Sequence, residues 1–351
     1  MRKPARRRSR RHRVLRRVLL GLAICIVGPV MVFLSFALYL QHQLTGQIHR
    51  IDGVFDGGHE RPAKSAGRAA DAVDILVLGT DRRSEQPTTG TDATSAAWVP
   101  GAQRSDAMMI LHIDADRRGA SVISLPRDLW VTIPGHGPGK INAAFSYGGP
   151  SLAVRTVESV TGIRIDHLAV IDWNGFRQFT DALGGVTIDV PETVHDGYRD
   201  ITWTAGRHTM NGDEALDYVG QRAGLPGGDL DRIHRQQNFL RTLLDETLTQ
   251  ELVKEPRQAY RILDILTQNL SVDRDWSVGK MRSLVISLRH LRSAGIDYLT
   301  VPVAGTGMEG TQSVVHLDRV GSEDLWAAVR DDAVSVWLAK NLTSATPATV
   351  S

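Results

Sequence analysis

The chain has a single cysteine, Cys25. One thiol excludes an internal disulfide and a multi-cysteine metal site. Acids are missing from residues 1–17, which carry ten of the 41 lysines and arginines. Charge of either sign is missing from residues 18–40, VLLGLAICIVGPVMVFLSFALYL. The histidines are scattered, His136 and His208 in expected loops, at no spacing that suits a metal or a nucleophile pair. No Ser/His/Asp or Cys/His arrangement, internal repeat or helix-turn-helix pattern is found. These absences argue against a disulfide scaffold, a repeat fold, a triad hydrolase and a DNA reader.

What is present begins with the uncharged run. At about 1.5 Å rise per residue, residues 18–40 cover a hydrocarbon layer roughly 30 Å thick. Pro29 does not disqualify such a helix. A cleaved signal peptide fits less well, because its apolar core is usually about 7–15 residues and ends at a small-residue site. The arginine cluster orients the head, residues 1–17, to the cytoplasm and the remainder to the outside. The expected location is therefore the cell membrane, single-pass, with the folded body extracellular. Outside the head, 31 basic residues face 39 acidic ones, a net charge of −8. A basic head before a span is accounted for by topology, so no nucleic-acid partner is implied.

Residues 41–72 read as a juxtamembrane linker, polar and without sustained period. VDILVLG (73–79), AMMILHID (107–114) and ASVISLP (120–126) are short apolar runs of buried-strand type. SLAVRTVESVTG and NGFRQFTDALGG read as helices, the second with Asn174 as N-cap. Asn211 with Glu214 forms a capping box before another helix. A longer helix begins near Leu230. Strands at 298–303 and 313–317 and a helix near 323–340 complete one α/β domain over residues 73–340, its sheet buried on both faces. Residues 341–351 read as a frayed tail. The stripe Trp173, Phe176, Phe179 and Leu183 is read as core rather than as a lipid-lining surface.

Chemistry is expected at strand ends and in the loops that follow them. TDRR places Asp81, Arg82 and Arg83 at the end of one strand, and RSD places Arg104, Ser105 and Asp106 before the next. If those strands are antiparallel neighbours, Asp81 and Asp106 share one sheet edge. Two carboxylates beside arginines suit a divalent cation bridging protein and phosphate, magnesium in particular. The plainer alternative is a pair of turn-capping acids and solvated arginines. Arg127 and Asp128 follow another strand, and GKIN adds Lys140 and Asn142. On the helix from Leu230, Arg232 and Gln236 share a face with Arg235 beside them, behind Asp229 and the loop bearing Arg222. Arginine forks match phosphate, and a helix N-terminus favours an anion, so this stretch reads as a diphosphate cradle.

In this order, LVLGTDRR, QRSDAMMILHID, VISLPRD, GKINAAFSYGG, DALGGVTIDVP, NGDEALDYVGQR and GDLDRIHRQQ resemble the LytR-CpsA-Psr family. The resemblance spans roughly 73–245. It implies a three-layer α/β/α domain around a central mixed sheet, with an apolar tunnel for a lipid tail, preceded by one transmembrane helix. It implies a Mg²⁺-dependent phosphotransferase moving a glycopolymer from a polyprenyl diphosphate carrier to peptidoglycan. Asp81 and Asp106 would hold Mg²⁺. Arg127, Arg222, Arg232 and Gln236 would bind the diphosphate. Arg104 would lie beside the reacting phosphorus, and Asp229 would hold arginines in place or assist the incoming hydroxyl. Arg82, Arg83 and Lys140 are further candidate contacts for phosphate or acceptor. One departure stands out: the family's YVRxR is YVGQR here, with Gly220 in place of the first arginine. If the segment is extended, residues 220 and 222 point to one side; if Gly220 is a left-handed helix stop, they do not. The alternatives to transfer are hydrolysis at the same site and a non-enzymatic envelope or transcription regulator.

Overall fold

A computed structural model describes residues 48–56, 58, 60–81, 89, 98, 101, 104–249 and 268–347. The basic head and the apolar run lie outside the described residues. Among those described, no helix is long and apolar enough to cross a membrane. The described residues belong to one compact unit, Ile48–Ser351.

The sheet begins with β1 (His49–Ile51), β2 (Val73–Asp81), β3 (Arg104–Ile113) and β4 (Ala120–Ser124). A ribbon of β5 (Trp130–Ile133) and β6 (Gly137–Lys140) leads to α1 (Ala143–Thr161). Next, β7 (His167–Asp172) runs directly into α2 (Trp173–Ala182). Four short strands follow: β8 (Val186–Val190), β9 (Val194–Asp196), β10 (Ile201–Trp203) and β11 (Gly206–Met210). Two helices then frame the loop that carries Arg222, α3 (Gly212–Gly220) and α4 (Asp229–Thr249). The chain continues through β12 (Leu270–Asp273), α5 (Val278–Ser287) and β13 (Ile296–Thr300). It closes with the ribbon β14 (Val303–Glu309) and β15 (Gln312–Leu317), then α6 (Arg319–Arg330) and α7 (Val334–Lys340).

The main sheet has seven strands in the order β1-β12-β7-β2-β3-β4-β13. β2 pairs parallel to β7 and antiparallel to β3, so the sheet is mixed as expected. Its two faces are covered by different helices. Leu76, Leu78 and Ile110 point into a core shared with α1 and α6. Ile75, Val77 and Leu111, one residue out of phase, meet Met281 and Leu284 of α5 on the other face. Strand alternation thus feeds two apolar layers. Each fully buried leucine contributes about 1.5–3 kcal/mol. A third core joins α2, α3, α4 and the β8–β11 ribbon. Phe176, Phe179 and Leu183 belong to it, and Phe176 packs on Phe239 at 5.0 Å. The core reading of that stripe holds for these three residues.

Several boundaries move. The domain starts at Ile48 rather than Val73. β1 pairs with β12, Val54 is buried, and Arg61 bonds the carboxylate of Glu158. The segment looked like linker because its few apolar residues have no period of their own. Residues 341–347 are docked rather than frayed: the Thr346 N–H donates to Tyr298 O at 2.9 Å and its hydroxyl to Gln237. Asp172, not Asn174, caps α2, accepting from Gly175 N at 2.9 Å. The Asn211–Glu214 capping box forms as expected, and His208 lies in β11, not in a loop.

At the sheet end away from Asp81, fully buried His112 joins three acids. Its Nδ1 is 2.8 Å from Asp74 and its Nε2 3.3 Å from Asp332, with Asp114 at 3.9 Å. Burial pulls the imidazole pKa down, but the hydrogen bond and charge of Asp74, then Asp114 and Asp332, outweigh it and the net direction is upward. A histidine whose folded pKa is raised stabilises fully below its unfolded pKa of about 6.5, and that contribution is lost as pH rises through the folded value. His112→Gln is therefore expected to cost about 2–3 kcal/mol near pH 6. Denaturant unfolding from pH 5.5 to 9 should show the gap from wild type closing at the alkaline end. A gap independent of pH would refute the charged-histidine account.

Candidate functional site

The site grows from the β2–β3 junction. Asp81 ends β2 and lies opposite Arg104, the first residue of β3, so the antiparallel pairing does bring this end of β2 beside Asp106. The side chains of Asp81 and Arg104, and all of Arg82 and Arg83, lie outside the described residues. The register slips between Gly79 and Thr80: Gly79 faces Ala107 and Thr80 faces Ser105, leaving Asp106 unpaired in a bulge. Bulges re-aim side chains. Gly79 lets the strands approach closely at this crossing: an added Cβ would stand 3.1 Å from that of Ala107, so one of the two would have to give by a few tenths of an ångström.

Asp106 is turned toward arginines. Its Oδ1 accepts from Arg127 Nη1 and, at 3.4 Å, from Arg222 Nη2. Arg127 is held by its backbone. Leu129 N donates to Pro126 O at 3.0 Å and Asn142 N to Arg127 O at 3.2 Å, which fixes the turn after β4. Arg127 Nε lies 3.8 Å from Asp128 and 3.7 Å from Asp229, and Lys140 bonds Asp128 at 3.0 Å. Asp229, at the start of α4, pairs with Arg232 Nη2 at 2.6 Å. The loop from α3 to α4 makes this possible through Gly224, whose φ is +79° and whose added Cβ would lie 2.2 Å from His195 O. Gln236 follows Arg232 by one turn and is half-buried on the same helix face.

The cluster joins four cations, Arg127, Lys140, Arg222 and Arg232, to three carboxylates, Asp106, Asp128 and Asp229. Only 2% of the Arg232 side chain is exposed. Burial, reinforced by Arg127 and Arg222 against the pull of Asp229, brings its pKa down to about 10. Burial and then Arg127 also lower that of Arg222. Both remain charged at neutral pH, crowded enough to favour an added anion. Arg127 Nε, Arg232 Nε and Asp229 Oδ2 are buried without a hydrogen-bond partner among the described residues. An unsatisfied buried polar group costs about 1–3 kcal/mol, so three in one cluster point to a polar ligand that completes them. Among the described residues, the acidic groups of this cluster are carboxylates, hard oxygen donors of the kind that suit Mg²⁺.

Two neighbours read alongside the cradle have other roles or places. Arg235 turns away from it: it bonds Gln221 Oε1 at 2.6 Å and lies 4.4 Å from the Tyr218 ring centroid. Gly220 is neither extended nor left-handed. It is the last residue of α3, and the chain becomes extended only at Gln221. Its added Cβ would meet Arg199 Nη2 at 3.1 Å, so an arginine introduced there would crowd an existing guanidinium instead of continuing the line of Arg222. Helix α3 simply runs one residue further than an extended YVGQR requires.

The model of the LytR_cpsA_psr family matches residues 41–330. The chain belongs to this family. It is 30% identical over 308 residues to the cell wall biosynthesis protein LcpA of Corynebacterium glutamicum, covering 77% of this chain but only 59% of that relative. It is also 30% identical over 258 residues to the polyisoprenyl-teichoic acid–peptidoglycan teichoic acid transferase TagU of Oceanobacillus iheyensis, covering 72% and 73% of the two chains. Among solved structures, the LytR-Csp2A-Psr enzyme of Actinomyces oris superposes with a TM-score of 0.62 at 24% identity, over 81% of this chain and 96% of that one. TagV of B. subtilis gives 0.59 at 24% identity, over 75% and 97%. At such identities these structures establish the shared mixed α/β fold.

Proposed function

We propose that this protein is a Mg²⁺-dependent phosphotransferase that moves a glycopolymer from a polyprenyl diphosphate carrier to a peptidoglycan hydroxyl. The observation that carries the reading is the Asp106–Arg127–Arg222–Asp229–Arg232 cluster with its three unsatisfied buried atoms. The naming of relatives for cell wall biosynthesis and teichoic acid transfer supports it.

In this reaction the acceptor oxygen attacks the glycopolymer-bearing phosphorus. A P–O–P bond breaks, polyprenyl phosphate leaves, and a phosphodiester forms. Such transfer needs mainly positioning and stabilisation of charge on phosphoryl oxygens. Arg127, Arg222 and Arg232 bind the diphosphate oxygens, and Gln236 adds an amide donor. Asp229 keeps Arg232 aligned and receives the acceptor proton. Arg104, opposite Asp81, stands beside the reacting phosphorus. Arg82, Arg83 and Lys140 extend the positive rim. Asp81 and Asp106 would hold Mg²⁺, which supplies further neutralisation of phosphate charge. The body works outside the cell membrane, anchored by residues 18–40.

The test incubates the purified full-length protein with lipid diphosphate-linked glycopolymer and peptidoglycan. Polymer-bearing peptidoglycan and free polyprenyl phosphate should form together and stop on chelation of Mg²⁺. Lipid phosphate released at an equal rate without acceptor would establish hydrolysis instead. The absence of both products would refute the enzyme assignment.

A further inference from the structure

A second charged feature lies at the other end of the main sheet. The turn between β3 and β4 and the segment from Ser287 into β13 outline a cleft of about 690 Å³. Arg117, Arg118, Arg289, His290 and Arg292 line it, with Asp116 the only acid among the described residues. Even Asp116 is engaged elsewhere: its Oδ2 pairs with Arg68 at 3.3 Å and its Oδ1 accepts the Arg118 N–H at 2.9 Å. Among the described residues, none of the four guanidiniums has a carboxylate within ion-pair distance. Arg117 is fixed by carbonyl oxygens, its Nη2 bonding Asp71 O at 2.6 Å and its Nη1 bonding Asp114 O at 2.9 Å. Arg118, Arg289, His290 and Arg292 are exposed.

Four arginines against one acid form a concentrated positive field on a body whose net charge outside the head is −8. Guanidinium forks recognise phosphate in particular. The four guanidiniums come from two chain segments that meet at this cleft, so more than one phosphate group can be met at once. Among the described residues, the side chains that line it are all polar or charged. It also stands far from the site above, since β3 has ten residues and is roughly 30 Å long. The chain enters the domain on β1, at the opposite edge of the sheet from β13.

We propose that this cleft binds a linear phosphodiester polymer, holding a stretch of chain remote from the reacting phosphate. The claim goes beyond the transfer reaction and does not require it, because the test measures binding alone. Full-length protein in detergent, with the ten lysines and arginines of residues 1–17 changed to glutamine so that the head does not take up the probe, is titrated into fluorescently labelled linear polyphosphate of roughly 20 units and followed by anisotropy. The double variant Arg118→Gln/Arg292→Gln keeps both exposed positions polar. It should bind the polymer at least tenfold more weakly, with a shallower dependence on salt because fewer charges are screened. Its affinity for inorganic pyrophosphate should match wild type, since Arg127, Arg222 and Arg232 are untouched. Unchanged polymer affinity would overturn the proposal. So would a variant that binds polymer normally but loses binding to phosphatidylglycerol vesicles or to soluble peptidoglycan fragments, since the cleft would then serve a lipid or a peptide carboxylate.

Discussion

Asp106→Asn is expected to lower the turnover of lipid-linked donor by about 10²–10³-fold, the range typical for one charge-stabilising group in an active site. The substitution keeps the shape of the side chain, and Asp106 sits in a bulge with 16% of its side chain exposed, so the fold should persist. The change falls on the charge balance. Asp106 is the carboxylate that gathers Arg127 and Arg222, and in the proposed reaction it is also a donor to Mg²⁺. Asparagine leaves four cations against two acids. Ground-state binding of the anionic donor should therefore hold or tighten while kcat falls. Steady-state kinetics with purified lipid-linked glycopolymer separates the two: a lower kcat with an unchanged or lower KM is the expected pattern. A full kcat would remove Asp106 from the machinery.

Arg232→Ala should act on both stability and binding. Arg232 is almost wholly buried and pairs with Asp229 at 2.6 Å, while Asp229 retains 19% exposure. Removing one member of a buried pair usually costs about 3–5 kcal/mol because the other charge is left uncompensated. The partial exposure of Asp229, and Arg127 Nε at 3.7 Å, place this case near 3 kcal/mol. At about 2–4 °C per kcal/mol for a domain of this size, Tm should fall by roughly 6–12 °C. Diphosphate affinity should fall about ten- to a hundredfold, as expected when one charged hydrogen-bond donor is lost. Arg232→Lys should recover much of the stability through its charge but little of the affinity, because it lacks the planar fork. A lowered Tm with wild-type diphosphate affinity would reduce Arg232 to a structural charge, and calorimetry and titration that both match wild type would remove it from the site.

Much of the site was legible as motifs. The β-branched runs marked β2, β3 and β4, and their ends carried Asp81, Asp106 and Arg127. The spacing of Arg232 and Gln236 on a helix behind Asp229 was equally readable. The contacts were less so. Asp106 meets Arg127 across 21 residues and Arg222 across 116, and such meetings follow from which strands and loops become neighbours. The His112 cluster is not legible in the sequence because two of its three acids, Asp74 and Asp332, lie 38 and 220 residues away. Residues 48–72 escaped for a similar reason: β1 is a three-residue strand that exists only through its pairing with β12.

By itself, then, the order of motifs determined the family, the α/β class and the residue types of the site, because strand and helix periodicity and turn chemistry are local properties. Only the tertiary structure decided that Arg232 faces Asp229 while Arg235, three residues on, turns inward to Gln221 and Tyr218. It alone set Gly220 within a helix and gathered a basic cleft from two distant segments. The physical reason is common to these cases. Burial and charge compensation depend on the rotational phase of a helix and on long-range packing, and neither is encoded in the spacing of residues along the chain.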